Sequence, residues 1–363
     1  MGKRIWRNYD FVLLGATCLL LAYGIAMIYS ASHAIDRVSD SAVRQAVFAV
    51  IGLIIGFVIT TIDYRILDSF SIPIYVIIVA LLLAIFVLGQ IAFNAQRSFD
   101  LGIIDVQPSE LSKPLLIIVL AAFLSRREQS RSQLTTLFLS ALLIGVPVFL
   151  IYREPDLGTA VVLTFVWLVM VFASGMNLLI LGALFGGGMA AIPFIWFSME
   201  EYMRRRVLLF INPEGDPQSA YNIRQALYAI GSGGWLGKGY MKGTQSQLHF
   251  LLVQHSDFVF SVVCEEMGMA GALILFALLI VVLLRTLRAA KLARDSFGRS
   301  ICTGVAAWLL FQCAVNIGMN LNLLPVTGLP LPFVSYGGSA LVSILIAVGL
   351  VQSVLLRHRK IEF

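Results

Sequence analysis

Asp257 stands in the stretch from Gln254 to Glu266, QHSDFVFSVVCEE, after a histidine and a serine and just before an apolar run long enough to cross a membrane. A charge in such a place is costly and marks a functional position by default. A carboxylate at a membrane boundary suits proton abstraction, because partial desolvation raises its proton affinity and strengthens it as a general base. The competing reading is a helix N-terminus whose dipole favours the charge. Glu265 and Glu266 follow inside the same run, about 12 Å deeper at about 1.5 Å per residue. They are expected to pair with basic residues on other helices.

Further polar groups need a reason. Gln107-Pro108-Ser109-Glu110-Leu-Ser-Lys113 opens another apolar run. Proline suits a first helical turn, and Glu110 and Lys113, three apart, share a face and can pair. They read either as a structural ion pair or as the charged wall of a cavity. Asp156, in Glu154-Pro155-Asp156-Leu-Gly158-Thr159, is placed to cap the next helix. The stretch GSGGWLGKGYMKGTQSQ at 231–247 is glycine-rich, so its amides can approach a phosphate closely, or it is a plain surface loop. After Asn316, Asn320 and Asn322, the prolines Pro325, Pro330 and Pro332 break helix. Irregular backbone at membrane depth is tolerated only when protein or a water-filled cavity covers it, which argues for a cavity there.

The elements that must position these groups are membrane helices. Of 363 residues, 59% are hydrophobic and 13% charged, against about 25% charged in a soluble domain. Apolar runs fall at 11–30, 45–62, 72–92, 108–124, 134–152, 158–175, 178–197, 258–284, 301–321 and 334–356. The expectation is an all-α, polytopic membrane protein of about ten transmembrane helices, a single domain over 1–363, with a large outer loop at 198–257 between spans seven and eight. The first run is too long for a signal peptide core and reads as an uncleaved span. The Gly52/Gly56 and Gly182/Gly186 pairs read as helix-packing contacts. Four cysteines lie in apolar runs without CxxC spacing, and four histidines form no zinc pattern. With the N-terminus in the cytoplasm, the inner segments hold fifteen of the 26 lysines and arginines, as the positive-inside rule requires. Both termini are then cytoplasmic. The start of the outer loop, EEYMRRRVLLFI, reads as an interfacial helix.

Taken together, QPSELSK at 107–113, EPDLGT at 154–159, AIGSGGWLGKG at 229–239, KGTQSQL at 242–248, HSDFVF at 255–260 and NIGMNLNLLPVTGLPLPFVSYGGSAL at 316–341 resemble the SEDS family (shape, elongation, division and sporulation), nearer its RodA-like branch. The resemblance implies a peptidoglycan glycosyltransferase of the bacterial cytoplasmic membrane, polymerising lipid II on the outer face beside a class B penicillin-binding protein. It places the family's catalytic aspartate on Asp257 and its important Glu and Lys on Glu110 and Lys113. Arg44, Arg97, Lys113 and Lys238 are candidates to meet the departing undecaprenyl diphosphate, with a divalent cation, magnesium or manganese, as a further candidate. Lys242, Gln245 and Ser335 join them as substrate-binding residues. No nucleic acid is implied. Val253 and Ser98 stand where the family usually has glutamate and tryptophan.

On this reading Asp257 takes the proton from the 4-hydroxyl of the acceptor's N-acetylglucosamine as that oxygen attacks C1 of the donor's N-acetylmuramic acid. An alpha-linked donor giving a beta-linked product implies inversion in one displacement. A lipid II flippase is the alternative, and it predicts charged residues on both sides of the midplane; the unusual polar motifs instead cluster towards the outer side. A division-type septal polymerase and a scaffold that only recruits the penicillin-binding protein are the others.

Overall fold

The computed structural model describes residues 8–33, 40–88, 90–92, 95–100, 105–128, 132–212, 217–248, 250–251 and 255–358. Long apolar helices dominate: α1 (Phe11–Ser32), α2 (Ser41–Thr61), α4 (Ser71–Leu88), α5 (Pro108–Arg126), α6 (Gln133–Arg153), α7 (Leu157–Ala173), α8 (Leu178–Ser198), α12 (Val259–Leu292), α13 (Ser296–Asn320) and α14 (Gly338–Leu356). Each occupies one of the apolar runs. Among the described residues, seven are long and apolar enough to cross a membrane, and α4, α7 and α8 contribute the shorter apolar stretches Ser71–Ile85, Leu157–Ala173 and Leu178–Ala191. The chain is a multi-pass membrane protein. A single-turn helix, α3 (Ile66–Ser69), joins α2 to α4.

Several boundaries depart from the hydropathy. The run at 72–92 ends its helix at Leu88 and continues into a small antiparallel sheet, β1 (Gln90–Ala92), β2 (Ala95–Asp100) and β3 (Asp105–Val106), in the order β1-β2-β3. Gln90 pairs with Ser98 and Phe99 with Val106. The span 258–284 extends to Leu292, so Arg285, Arg288 and Lys291 lie on helix rather than in a connecting segment. The run 334–356 begins its helix only at Gly338, because the prolines and glycines before it hold the chain in irregular backbone.

α13 is the central element, packed on α5, α7 and α12, while α2 and α14 form the most extensive helix pair. Glycine permits that closeness: a Cβ on Gly56 would stand 2.7 Å from the Leu345 carbonyl oxygen. The Gly182/Gly186 pair does not pack this way, since a Cβ on either meets nothing within 4 Å among the described residues. Ile180 and Leu184 of the same helix do pack against the core.

The bundle has two distinct ends. At one, Arg285 grips the Asp10 carboxylate at 2.8 Å and Gln352 bonds the Asp10 backbone through both amide atoms. At the other, Ser30, near the far end of α1, donates to Glu266 at 2.6 Å, and α12 begins just beyond Asp257.

The described residues of the long segment 198–257 carry helices and a packed loop. α9 (Glu201–Ile211) and α10 (Pro217–Ser232) are amphipathic, and a single turn, α11 (Thr244–Gln247), follows the glycine-rich stretch. That stretch lies along α12 where Gly268, at φ 64°, interrupts the helix. The interruption frees backbone groups, and the loop satisfies them. Met269 N–H donates to the Gly234 carbonyl at 2.9 Å and Ala270 N–H to that of Trp235 at 3.0 Å. In return, Lys238 N–H donates to the Glu265 carbonyl and Gly239 N–H to that of Glu266, both at 3.0 Å.

Candidate active site: an aspartate in a basic-rimmed cavity

A cavity of about 340 Å³ opens at the end of the bundle where α12 begins, and Asp257 lines it with Arg44, Glu110, Asp156 and Arg206. The irregular segment after α13 supplies one wall through Thr327, Gly328, Leu329 and Pro330. The prolines therefore do build a cavity, as the sequence suggested.

Asp257 is held by its backbone. Its carbonyl accepts from Asn320 Nδ2 at 3.0 Å and from Asn316 Nδ2 at 3.3 Å. Asn316 also donates to the Leu329 carbonyl at 2.8 Å, and Gln312 to that of Pro330 at 2.8 Å. One face of α13, repeating every four residues, thus fixes both the aspartate and the cavity wall. Ser335 hydroxyl donates to the Ser256 carbonyl at 2.6 Å and accepts from Leu331 N–H. Ser335 is a positioning residue in this geometry, buried behind the aspartate's turn. Gln45 closes the set by donating to the Ser335 carbonyl at 3.0 Å.

The side chain of Asp257 keeps partial exposure to the cavity while protein surrounds its other sides. Burial raises its pKa above the usual carboxylate value, opposed by the nearby Arg206 charge and the Ser256 hydroxyl. The net direction is towards a stronger base. Burial also lowers the pKa of His255 beside it, which favours a neutral imidazole. Gly328 separates Arg206 from Asp257: a methyl there would stand 3.6 Å from Arg206 Nη1 and 3.9 Å from Asp257 Oδ2. Gly328 also has φ +75°, where a side chain is strained.

Glu110 and Lys113 form a buried ion pair at 2.5 Å, and Lys113 lies 5.7 Å from the Trp308 ring centroid. Glu110 faces the cavity, and its Oε2 has no hydrogen-bond partner among the described residues. Lys113 is fully buried and does not line the cavity. Its charge is spent on Glu110, so of the two only the glutamate is placed to meet a ligand. Asp156 both caps and lines: Oδ1 accepts from Thr159 N–H at 3.1 Å, and Oδ2 from Ser109 hydroxyl at 3.2 Å.

Lys238, Lys242 and Gln245, like Lys113 and Ser335, do not line the cavity. Lys238 pairs with the buried Glu265 at 2.8 Å, Lys242 is exposed on the loop, and Gln245 turns its N–H to Glu265 Oε1 at 2.8 Å. The expected phosphate cradle holds this chain's own carboxylates. Glu265 also accepts from Ser246 N–H at 3.0 Å, and Glu266 from Met241 N–H at 3.1 Å. The expectation that these glutamates pair with bases on other helices is corrected accordingly: a fully buried carboxylate needs several donors, and the loop amides supply them. Arg97 lies on β2, and its side chain falls outside the described residues; Val253 falls outside them too. Arg206 was missed because only the tertiary fold brings α9 over the aspartate. Its signal was a triple arginine in an otherwise apolar helix.

The described residues gather no group of three His, Cys, Asp or Glu able to hold a metal ion.

Comparison with known proteins agrees with this architecture. The chain is 39% identical to the peptidoglycan glycosyltransferase MrdB of Escherichia coli K12 over 99% of its own length and 96% of the relative's. It superposes with TM-score 0.82 and 33% identity on a chain from a solved peptidoglycan synthase complex that coordinates polymerisation and crosslinking, covering 96% of this chain and 97% of that one. The rod shape determining protein RodA of Thermus thermophilus matches with TM-score 0.72 and 32% identity over 97% of both chains. A family model described as cell cycle protein, FtsW/RodA/SpoVE, matches residues 11–360. From the cavity motifs through to the last helix, the chain belongs to the FtsW/RodA/SpoVE family of cell cycle proteins.

Proposed function

We propose that this chain, a peptidoglycan glycosyltransferase as its relatives are named, polymerises lipid II at the cavity with Asp257 as general base. The observation that carries the reading is the aspartate itself: pinned through its backbone, partly open to a cavity, and raised in proton affinity by burial against the opposing charge of Arg206. Asp257 takes the proton of the acceptor's 4-hydroxyl while that oxygen forms a bond to C1 of the donor sugar. The C1–O bond to the diphosphate breaks with inversion, and undecaprenyl diphosphate leaves with the electron pair. Arg44 and Arg206, both on the cavity wall, are placed to offset the charge on that leaving group. Glu110 lines the same cavity, and its Oε2, buried and lacking a protein partner among the described residues, would accept from a sugar hydroxyl once the carboxylate turns outward.

The cavity end faces outward on this proposal, and the termini are cytoplasmic. Its support is charge: Arg285, Arg288, Lys291, Arg294 and Arg357 lie at the opposite end, as an inner face requires. The proposed partner is a class B penicillin-binding protein, supported by the synthase complex that the chain resembles.

Purified protein given labelled lipid II, with and without that partner, tests the reading. Glycan strands from the wild type and none from Asp257→Asn support it. Strands from both sink the base assignment, and strands from neither, with the partner present, favour transport of lipid II.

A further inference from the structure

At the end of the bundle opposite Asp257, an apolar groove of about 500 Å³ runs between α1, α2 and α14, lined by Phe11, Cys18, Leu53, Phe57 and Val348. It closes against Tyr9. Tyr9 also lines a second cavity, of about 230 Å³, together with Asn8, Arg285, Arg288 and His358. The two cavities are thus neighbours of opposite character that share one aromatic wall. Arg285 is occupied by Asp10, but Arg288, a turn further along α12, is exposed. The only acid lining the polar cavity among the described residues is Asp10, so two arginines outweigh it.

An apolar trough on membrane helices, ending in a cationic pocket at the helix ends, has the amphiphilic form of a phospholipid. Its volume is within the range of ligand cavities, about 300–1,000 Å³. Basic pockets at helix ends on the cytoplasmic side recognise anionic headgroups. We infer that this paired site binds an anionic glycerophospholipid, one acyl chain in the groove over Leu53 and Phe57 and its phosphate beside Arg288. The helices it bridges, α1, α2, α12 and α14, include those that carry Arg44 and the aspartate at their far ends. The inference does not depend on the catalytic assignment.

Full-length protein is purified in detergent, exchanged into nanodiscs of equal phosphatidylglycerol and phosphatidylcholine, and its retained lipid is measured by native mass spectrometry. Wild type and Asp257→Asn retain phosphatidylglycerol preferentially. Arg288→Ala lowers that preference about fivefold, since a basic residue near an anionic headgroup contributes about 1 kcal/mol. Cys18→Trp, which fills the groove from an exposed position, lowers total retention of both lipids while leaving the fold intact by circular dichroism. Equal retention of the two lipids by the wild type, preference unchanged in Arg288→Ala, or a polyprenyl phosphate in place of either lipid would overturn the assignment.

Discussion

A carboxylate partly withdrawn from water holds its proton more tightly, and Asp257 shows how that property serves two ends at once. Its raised pKa strengthens it as a base. It also means that the folded chain binds more protons than the unfolded chain between the ordinary and the raised value, so stability falls as pH rises through that window. Asp257→Asn removes the cost of the buried charge. The variant should lose about 10²–10⁴-fold in polymerisation rate, yet melt no lower than wild type at neutral pH. That advantage should fade as pH falls below the ordinary carboxylate range. A thermal melt across pH checks the sign, and a variant less stable at neutral pH would contradict it. The rate of the wild type should likewise fall on the acid side as Asp257 takes up its proton.

Lys113 makes a different residue-scale case. Removing one partner of a buried ion pair costs about 3–5 kcal/mol, because the other charge is stranded. Lys113→Met should therefore depress folding yield and melting temperature sharply. Adding Glu110→Leu should restore much of the stability while leaving the cavity without its glutamate. Melts of the single and double variants decide between this and a direct substrate role, which predicts normal stability for Lys113→Met.

At the scale of elements, the site depends on two devices that join distant segments. The asparagine face of α13 holds Asp257 and the proline-rich wall. The glutamate pair of α12 holds the glycine-rich loop. The second makes a selective prediction for hydrogen exchange. In Glu265→Ala the Gln245 and Ser246 amides should lose protection, while the Lys238 and Gly239 amides, bonded to backbone carbonyls, keep theirs. Uniform loss along the loop would mean that the whole segment had detached. Gly328→Ala tests the cavity wall: its positive φ should cost about 1–2 kcal/mol, and the added methyl lies between Arg206 and Asp257.

Legibility followed range. Prolines announce irregular backbone locally, and the apolar runs mark every long helix, so both were readable from composition and spacing. The loop partners of Glu265 and Glu266 lie 19 to 27 residues earlier in sequence, and Ser30 lies 236 residues earlier, at separations that no local signal records. Arg206 reaches Asp257 from another element altogether. The small sheet at 90–106 went unread because its strands are too short to give a sustained alternation.

For the whole molecule, the separation of a cavity end from a basic end is the main consequence. On the proposed reading, one face of the membrane holds the chemistry and the other the basic segments. A cysteine placed at Lys242 should react with a membrane-impermeant maleimide in intact cells, whereas one at Arg294 should react only after permeabilisation. The reverse pattern would invert the orientation.

The most direct measurement is lipid II polymerisation by the purified protein with the proposed penicillin-binding partner, comparing wild type with Asp257→Asn under conditions where both are folded and partner-bound. Long glycan strands from the wild type alone are predicted. Equal strands from the two proteins would contradict the assignment of Asp257 as the base.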